Sequence, residues 1–344
     1  MGDNLIASKQ ASKQANPNCL NTIRLIAAIQ VMYGHTIAHL GIDISPWISR
    51  VLALFPGVPI FFMMSGFLIW NSVAKSKSFG EYAKRRFVRI YPELWIGVII
   101  EIAVMLLLYE KRIPALDVIV FWFTQSTFLQ FWTPSSMRVY GCGTPNGSLW
   151  TICTIIQFYI VVWWLRKWLN GKRKRMWVFV IVCSIVCGIL LAELYGFLPE
   201  VWAKLANQTI FAYLWMFLIG AFIAEFFDKM LETIKKYWWL FIFCAVILML
   251  LGVDISVRYN VFQSICLIVG WIGFAYRFPK FNVKLDISYA IYIYHMIVVN
   301  ALLAFGQAGS IGHLLIVFGV TCALAYLSTV CVGGKLRKVI MERL

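Results

Sequence analysis

Four ionisable residues interrupt long apolar runs: Arg24, His35, Glu101 and His295. The chain is 61% hydrophobic and only 13% charged, and a charge at membrane depth is costly, so it is kept there for function or for pairing. Arg24 and His35 are eleven residues apart. On a helix that is about three turns, so both project from one face, ~16 Å apart along the axis. A guanidinium near one mouth and an imidazole deeper on the same stripe suit a tunnel. It would receive an anionic donor at one side and deliver chemistry further across, with the imidazole as general base. The bland readings stand beside this one: a snorkelling arginine, a histidine satisfied by a neighbouring helix, and for Glu101 a protonated or paired structural carboxylate. His35 and His39 have the i, i+4 spacing of metal ligands, but no Asp, Glu or Cys nearby supplies a third, so no metal site is expected.

Two further patterns stand outside the apolar runs. In Lys84-Arg85-Arg86-Phe87-Val88-Arg89-Ile90-Tyr91-Pro92, Arg86 and Arg89 fall three apart, where one side of a helical turn could clamp phosphates. Orientation in the bilayer and lipid headgroups account for the same charges equally well. Gly147-Ser148-Leu149-Trp150 marks a helix start, with Asn146 or Ser148 as cap and Trp150 as interfacial anchor. The nine cysteines include no C-x-x-C pair and several lie inside apolar runs, which is the pattern of buried small hydrophobes.

The elements that must position these residues are membrane-spanning helices. Mean hydropathy is +0.79, and a 344-residue chain of this composition is suited to lipid rather than water. Ten apolar stretches of roughly spanning length run near 20–40, 51–72, 93–109, 149–168, 177–196, 208–227, 238–253, 257–276, 286–306 and 313–333. An eleventh, 114–132, is broken by Gln125, Ser126, Thr127 and Gln130 and reads as a re-entrant or interfacial segment. With residues 1–19 as a cytoplasmic lead, the presumed outer segments hold only Arg50, Lys111, Arg112, Arg138, Lys204 and Arg258 of the Lys and Arg. The rest, apart from Arg24, crowd the inner segments, so the positive-inside rule predicts both ends in the cytoplasm. The net charge of +16 is therefore an orientation signal and implies no nucleic-acid partner. The expected division is a lead over 1–19, a transmembrane domain over 20–333 and a cytoplasmic tail over 334–344.

Five blocks in order resemble the acyltransferase-3 family of integral membrane acyltransferases. Arg24 and His35 match its Arg-x10-His first span, and Phe61-Phe62-Met63-Met64-Ser65-Gly66-Phe67-Leu68-Ile69 is similar to its FFxxSGFLI span. Arg86 to Pro92 resembles its RxxRIYP loop. Asn146 to Thr151, followed by Gln157-Phe158-Tyr159, resembles its SLWTL…QFY helix. Ile287-Ser288-Tyr289 through Tyr294-His295 resembles its ISYxIYLxH span. The chain departs from the family at Asn21, where Asp is usual, and at Ile155 and Ile156, where a Glu is often found.

The resemblance implies an all-α, polytopic bundle and transfer of an acyl group, usually acetyl, from cytoplasmic acyl-CoA to a hydroxyl of an extracytoplasmic glycan. It implies His35 as the catalytic imidazole and places Arg24, Arg86 and Arg89 on the acyl-CoA side. Ser65, Glu101, Asn146, Ser148, Trp150, Tyr289 and His295 remain supporting or acceptor-side candidates. Acyl-CoA would be a substrate rather than a resident cofactor, and the expected setting is the cytoplasmic (inner) membrane of a bacterium. A transporter or flippase for a surface glycan, or an inactive family member, is the alternative. The first would require two related halves, and no such internal repeat is visible.

Overall fold

Lipid offers the backbone no hydrogen-bond partner, so each crossing segment must satisfy its own amides. The computed structural model, which describes residues 17–252 and 260–333, does so with helices, and no strand occurs among the described residues. The helices are α1 (Leu20–His39), α2 (Pro46–Ala53), α3 (Gly57–Ala74), α4 (Phe79–Leu108), α5 (Ala115–Ser126), α6 (Trp150–Leu169) and α7 (Lys174–Tyr195). They continue with α8 (Glu200–Ala206), α9 (Leu214–Glu225), α10 (Phe227–Leu250), α11 (Val261–Arg277), α12 (Ser288–Ala304) and α13 (Gly312–Ser328), which ends in a π turn over Thr329–Gly333. The chain is thus an all-α, polytopic membrane bundle. The lead to residue 16, the tail from 334, and Lys9, Lys13, Arg258, Lys335, Arg337, Lys338 and Arg343 lie outside the described residues.

Among the described residues, each of the ten expected stretches is mainly helical. Six segments among the described residues, including the joined Pro46–Ala74, are long and apolar enough to cross a membrane. α9, α11 and α12 are shorter, and α1 has the length but is diluted by Asn21, Arg24, Gln30, His35 and His39. The short and polar helices are internal. α12 is buried on every side from Ala290 to Asn300, and α9 buries Trp215 to Ala221 continuously. α7 and α10 instead present mainly exposed apolar surface, as lipid-facing helices do.

α3 and α9 meet backbone to backbone. A Cβ at Gly66 would overlap the Phe217 carbonyl, and one at Gly220 would overlap the Met63 carbonyl. Reciprocal glycines of this kind let helices approach closely where dispersion, rather than exclusion from water, drives association.

The interrupted segment, expected to be re-entrant or interfacial, is a short helix followed by a reversal of the chain. α5 has 12 residues, ~18 Å. It starts beside the end of α4 and reaches the depth of Trp95, whose indole donates to the Ser126 carbonyl (2.9 Å). The chain then turns back. Gln125 Nε2 donates to the Trp132 carbonyl (2.9 Å), and Ser136 Oγ returns to Asp117 (2.5 Å) in the first turn of α5. The Gln and Thr residues that break the hydropathy are those that hydrogen-bond this reversal.

Candidate functional site

α1 runs from the basic end of the bundle to the opposite end. At its start, Cys19 N donates to the Ala275 carbonyl (3.0 Å) and Thr22 Oγ1 accepts from Val283 N (3.0 Å). These contacts bring Arg24 to Asp286, in the connection ahead of α12, and the two form an ion pair. Arg89 Nη2 donates to the same carboxylate oxygen, Asp286 Oδ2, at 2.9 Å. The other oxygen accepts from Ser288 N (3.2 Å) and Ser288 Oγ (2.5 Å). Burial would raise the Asp286 carboxyl, but Arg24, Arg89 and the Ser288 hydroxyl outweigh it and hold it down to about 2. Arg86 completes the cluster, with Nη2 bonded to Ser72 Oγ (3.1 Å) and its guanidinium over the rings of Tyr159 and Tyr82 (5.7 and 6.0 Å). Three guanidiniums face one carboxylate, so the cluster keeps an excess of positive charge.

A cavity of about 420 Å³ opens from this cluster. Arg24, Arg86, Arg89 and Asp286 line it at one end, and Val58, Phe61, Thr151 and Tyr292 at the other. Along α3 it extends from Ile69 to Val58, eleven residues or ~16 Å of helix. Between the two ends its walls are mainly apolar, with Phe62, Leu68 and Ile152, broken by Asn21, Ser65, Tyr159 and Tyr289. A charged mouth and a long apolar barrel fit a ligand with an anionic head and a narrow, largely apolar tail.

Beyond the closed end stand two imidazoles. His35 Nδ1 lies 2.8 Å from His295 Nε2, with the ring centroids 5.1 Å apart. His295 is fully buried, and its Nδ1 is 3.2 Å from the Ile291 carbonyl, which can only accept. That bond places a proton on His295 Nδ1 and leaves Nε2 to accept from His35 Nδ1–H. His35 Nε2 then carries the free lone pair. The arrangement holds one imidazole in the tautomer a general base needs.

A family model described as an acyltransferase domain matches residues 18–330. The chain belongs to the acyltransferase-3 family. This membrane acyltransferase is also similar to Nodulation protein 10 of Rhizobium leguminosarum bv. viciae, 27% identical over 321 residues that cover 85% of each chain. It is similar to Acyltransferase MdmB of Streptomyces mycarofaciens, 26% identical over 133 residues, 38% of this chain and 34% of that one. No solved structure matches it.

The remaining sequence candidates divide in this acyltransferase into cavity wall and scaffold. Ser65 and Tyr289 line the cavity, and Tyr289 also donates to the Ile90 carbonyl (3.2 Å). Asn146 caps the 3-10 turn Gly147–Leu149 by accepting from Ser148 N (3.3 Å), and it ties the turn to α12 by donating to the Ile293 carbonyl (3.0 Å). Ser148 is buried and bonds Asn146 Oδ1 (2.6 Å). Trp150 is half-buried and packs against Tyr213 and Phe62 (5.4 and 6.3 Å between centroids). Glu101 is buried and is not among the cavity-lining residues. The positions at which the chain departs from its family bear on the cavity. Asn21 and Ile155 line it, while Ile156 packs into the cluster around α12.

Asp286, Thr151 and Tyr292 were not singled out by sequence reasoning. Asp286 carried a usable signal: it is an acid set two residues before Ser288 in a chain with only 15 Asp and Glu. Tyr292 carried the three-residue spacing Tyr289, Tyr292, His295, one stripe of α12.

Proposed function

We propose that this protein is a bacterial inner-membrane O-acyltransferase, moving an acyl group, acetyl in the simplest case, from cytoplasmic acyl-CoA to a hydroxyl of an extracytoplasmic glycan. The observation that carries the reading is the cavity. It leads from a guanidinium cluster to Tyr292, about one helical turn short of His295, which holds the neighbouring His35 imidazole in a tautomer that leaves a lone pair. Coenzyme A offers the matching chemistry, phosphates for Arg24, Arg86 and Arg89 and a slender pantetheine arm for the barrel. His35 Nε2 would take the proton of the acceptor hydroxyl as its oxygen attacks the thioester carbonyl. His295 holds His35 in the required tautomer. Ser65 and Tyr289 would contact the donor arm, while Asn146, Ser148 and Trp150 hold the far end of the cavity in shape.

The test is turnover in proteoliposomes supplied with radiolabelled acetyl-CoA and surface oligosaccharide. Label should appear in ester linkage on the saccharide, with free coenzyme A released, and His35→Ala should abolish both. Absence of coenzyme A release from the wild-type protein, with the fold intact, would remove the reading and favour transport.

A further inference from the structure

The cavity does not reach His35. α1 contributes only Asn21 and Arg24 to its walls, and the far end is closed by Phe61, Thr151 and Tyr292. The closure is built from hydroxyls. Thr151 Oγ1 donates to the Tyr292 hydroxyl (2.7 Å), which donates to the Ser148 carbonyl (2.8 Å). Phe61 meets the Tyr292 ring edge-on with centroids 5.8 Å apart, and on its other side that ring lies 5.9 Å from His295. Tyr292 thus stands between the end of the barrel and the imidazole pair. Along α12 it is one step, ~4.5 Å of rise, short of His295.

That offset matches what the reaction needs. An acceptor oxygen must fit between the base and the thioester carbon, about 2.8 Å from the nitrogen and about 3–3.5 Å from the carbon in a near-attack arrangement. The thioester therefore belongs roughly one helical turn short of the imidazole pair, at the end of the cavity that Thr151 and Tyr292 line. A thioester carbonyl arriving there takes the place that the Ser148 carbonyl holds in this structure, as acceptor of the tyrosine O–H.

We propose that the Tyr292 hydroxyl, positioned by Thr151, is the hydrogen-bond donor that stabilises the oxyanion formed from the thioester carbonyl. The inference rests on the acyl-transfer reading above. As the acceptor oxygen bonds the carbonyl carbon, its proton passes to His35 Nε2 and the carbonyl oxygen gains charge facing Tyr292. Collapse breaks the C–S bond, and the imidazolium returns the proton to the departing thiolate. Thr151, donating to Tyr292, aligns the phenol and sharpens its polarity, while Ser148 and Asn146 fix the turn that carries the competing carbonyl. The phenol is neutral before and after, so the site supplies the donor without burying a charge.

The experiment is Tyr292→Phe, which keeps the ring against Phe61 and His295 and removes only the hydroxyl, with Thr151→Val as the companion. Binding of a thioether acyl-CoA analogue and turnover are measured separately in detergent. Loss of one oxyanion donor costs about 10²–10³-fold in kcat, so Tyr292→Phe should fall by at least 10²-fold with analogue affinity changed less than about threefold. Thr151→Val should show the same split with a smaller loss. Retention of more than about a third of the wild-type kcat by Tyr292→Phe overturns the proposal. So does a parallel loss of analogue binding and kcat, which would make the hydroxyl a tether for the turn at Ser148. A wild-type protein that binds the analogue but transfers nothing indicts the acyl-transfer reading itself, and the inference falls with it.

Discussion

The imidazole pair gives the proton a direction. Because the Ile291 carbonyl can only accept, His295 is committed as donor at Nδ1 and acceptor at Nε2, and His35 is left with its base outward. Removing His35 should therefore cost about 10²–10⁴-fold in turnover, the usual range for a general base, with the bundle still folded. His35→Ala retaining more than roughly a tenth of wild-type activity would take it out of the mechanism. In the proposed mechanism His295 acts through His35, so its variants should separate by hydrogen-bonding capacity. His295→Phe loses the tautomer control, a defect that reaches about 10⁴-fold in other base–orienter pairs, whereas His295→Gln, whose amide oxygen can still accept from His35 Nδ1, should recover at least part of that loss. Equal activity of the two variants would argue that His295 merely fills space. At the charged mouth, Arg86→Glu or Arg89→Glu should raise the KM for acyl-CoA by tenfold or more, and the wild-type KM should itself rise with salt, since the attraction is partly screened. Insertion should be unaffected because Lys84 and Arg85 still mark the loop as inner. An unchanged KM in both variants would leave the pair as an orientation signal only.

At the scale of elements, the site depends on helices being held closer than ordinary side chains allow. Gly66 and Gly220 set α3 against α9, and α3 supplies Val58, Phe61, Ser65 and Leu68 to the cavity. Gly220→Val would drive a branched side chain into the Met63 backbone, and neither helix can yield without displacing that wall. Overpacking typically costs about 1–3 kcal/mol, and at a backbone contact the upper end is expected. Gly220→Val should lower the midpoint of detergent thermal unfolding and reduce monodisperse yield, whereas Gly319→Val, on α13 with open space beside it, should change neither. Equal behaviour of the two would mean the α3–α9 crossing is not tight. A second dependence is on the outer loop. Asn300 pins it by accepting from Cys142 N (2.9 Å) and donating to the Thr144 and Pro145 carbonyls (3.0 and 2.6 Å). Its partner Gly141, at φ +58, leaves no room for a Cβ beside the Asn300 amide.

For the whole molecule, the expected topology is ten crossings with both ends cytoplasmic. Reporter fusions after Arg175 and Lys284 should report the cytoplasm, and one placed within 135–145 the exterior. A cytoplasmic signal from the last would mean that α5 crosses fully, which the return of Ser136 to Asp117 argues against. The sequence by itself determined the membrane class, the helical architecture, the expected alternation of basic loops, and the family. These are written in composition, in run length and in short ordered motifs, none of which requires knowing what lies beside what. It also supplied Arg24 and His35, because an ionisable group in an apolar run is visible in one dimension, and Arg86 and Arg89, because a three-residue spacing in a basic loop is equally visible. Only the tertiary structure decided that His295 meets His35 across 260 residues of chain, that Asp286 pairs with two of the three arginines, and that the cavity stops at Tyr292. Hydropathy is a property of each segment alone, and it places a helix in the bilayer without fixing its rotation about its own axis. Which faces turn toward one another is settled by packing, here by glycine crossings and by buried hydrogen bonds that have no other way to be satisfied in lipid.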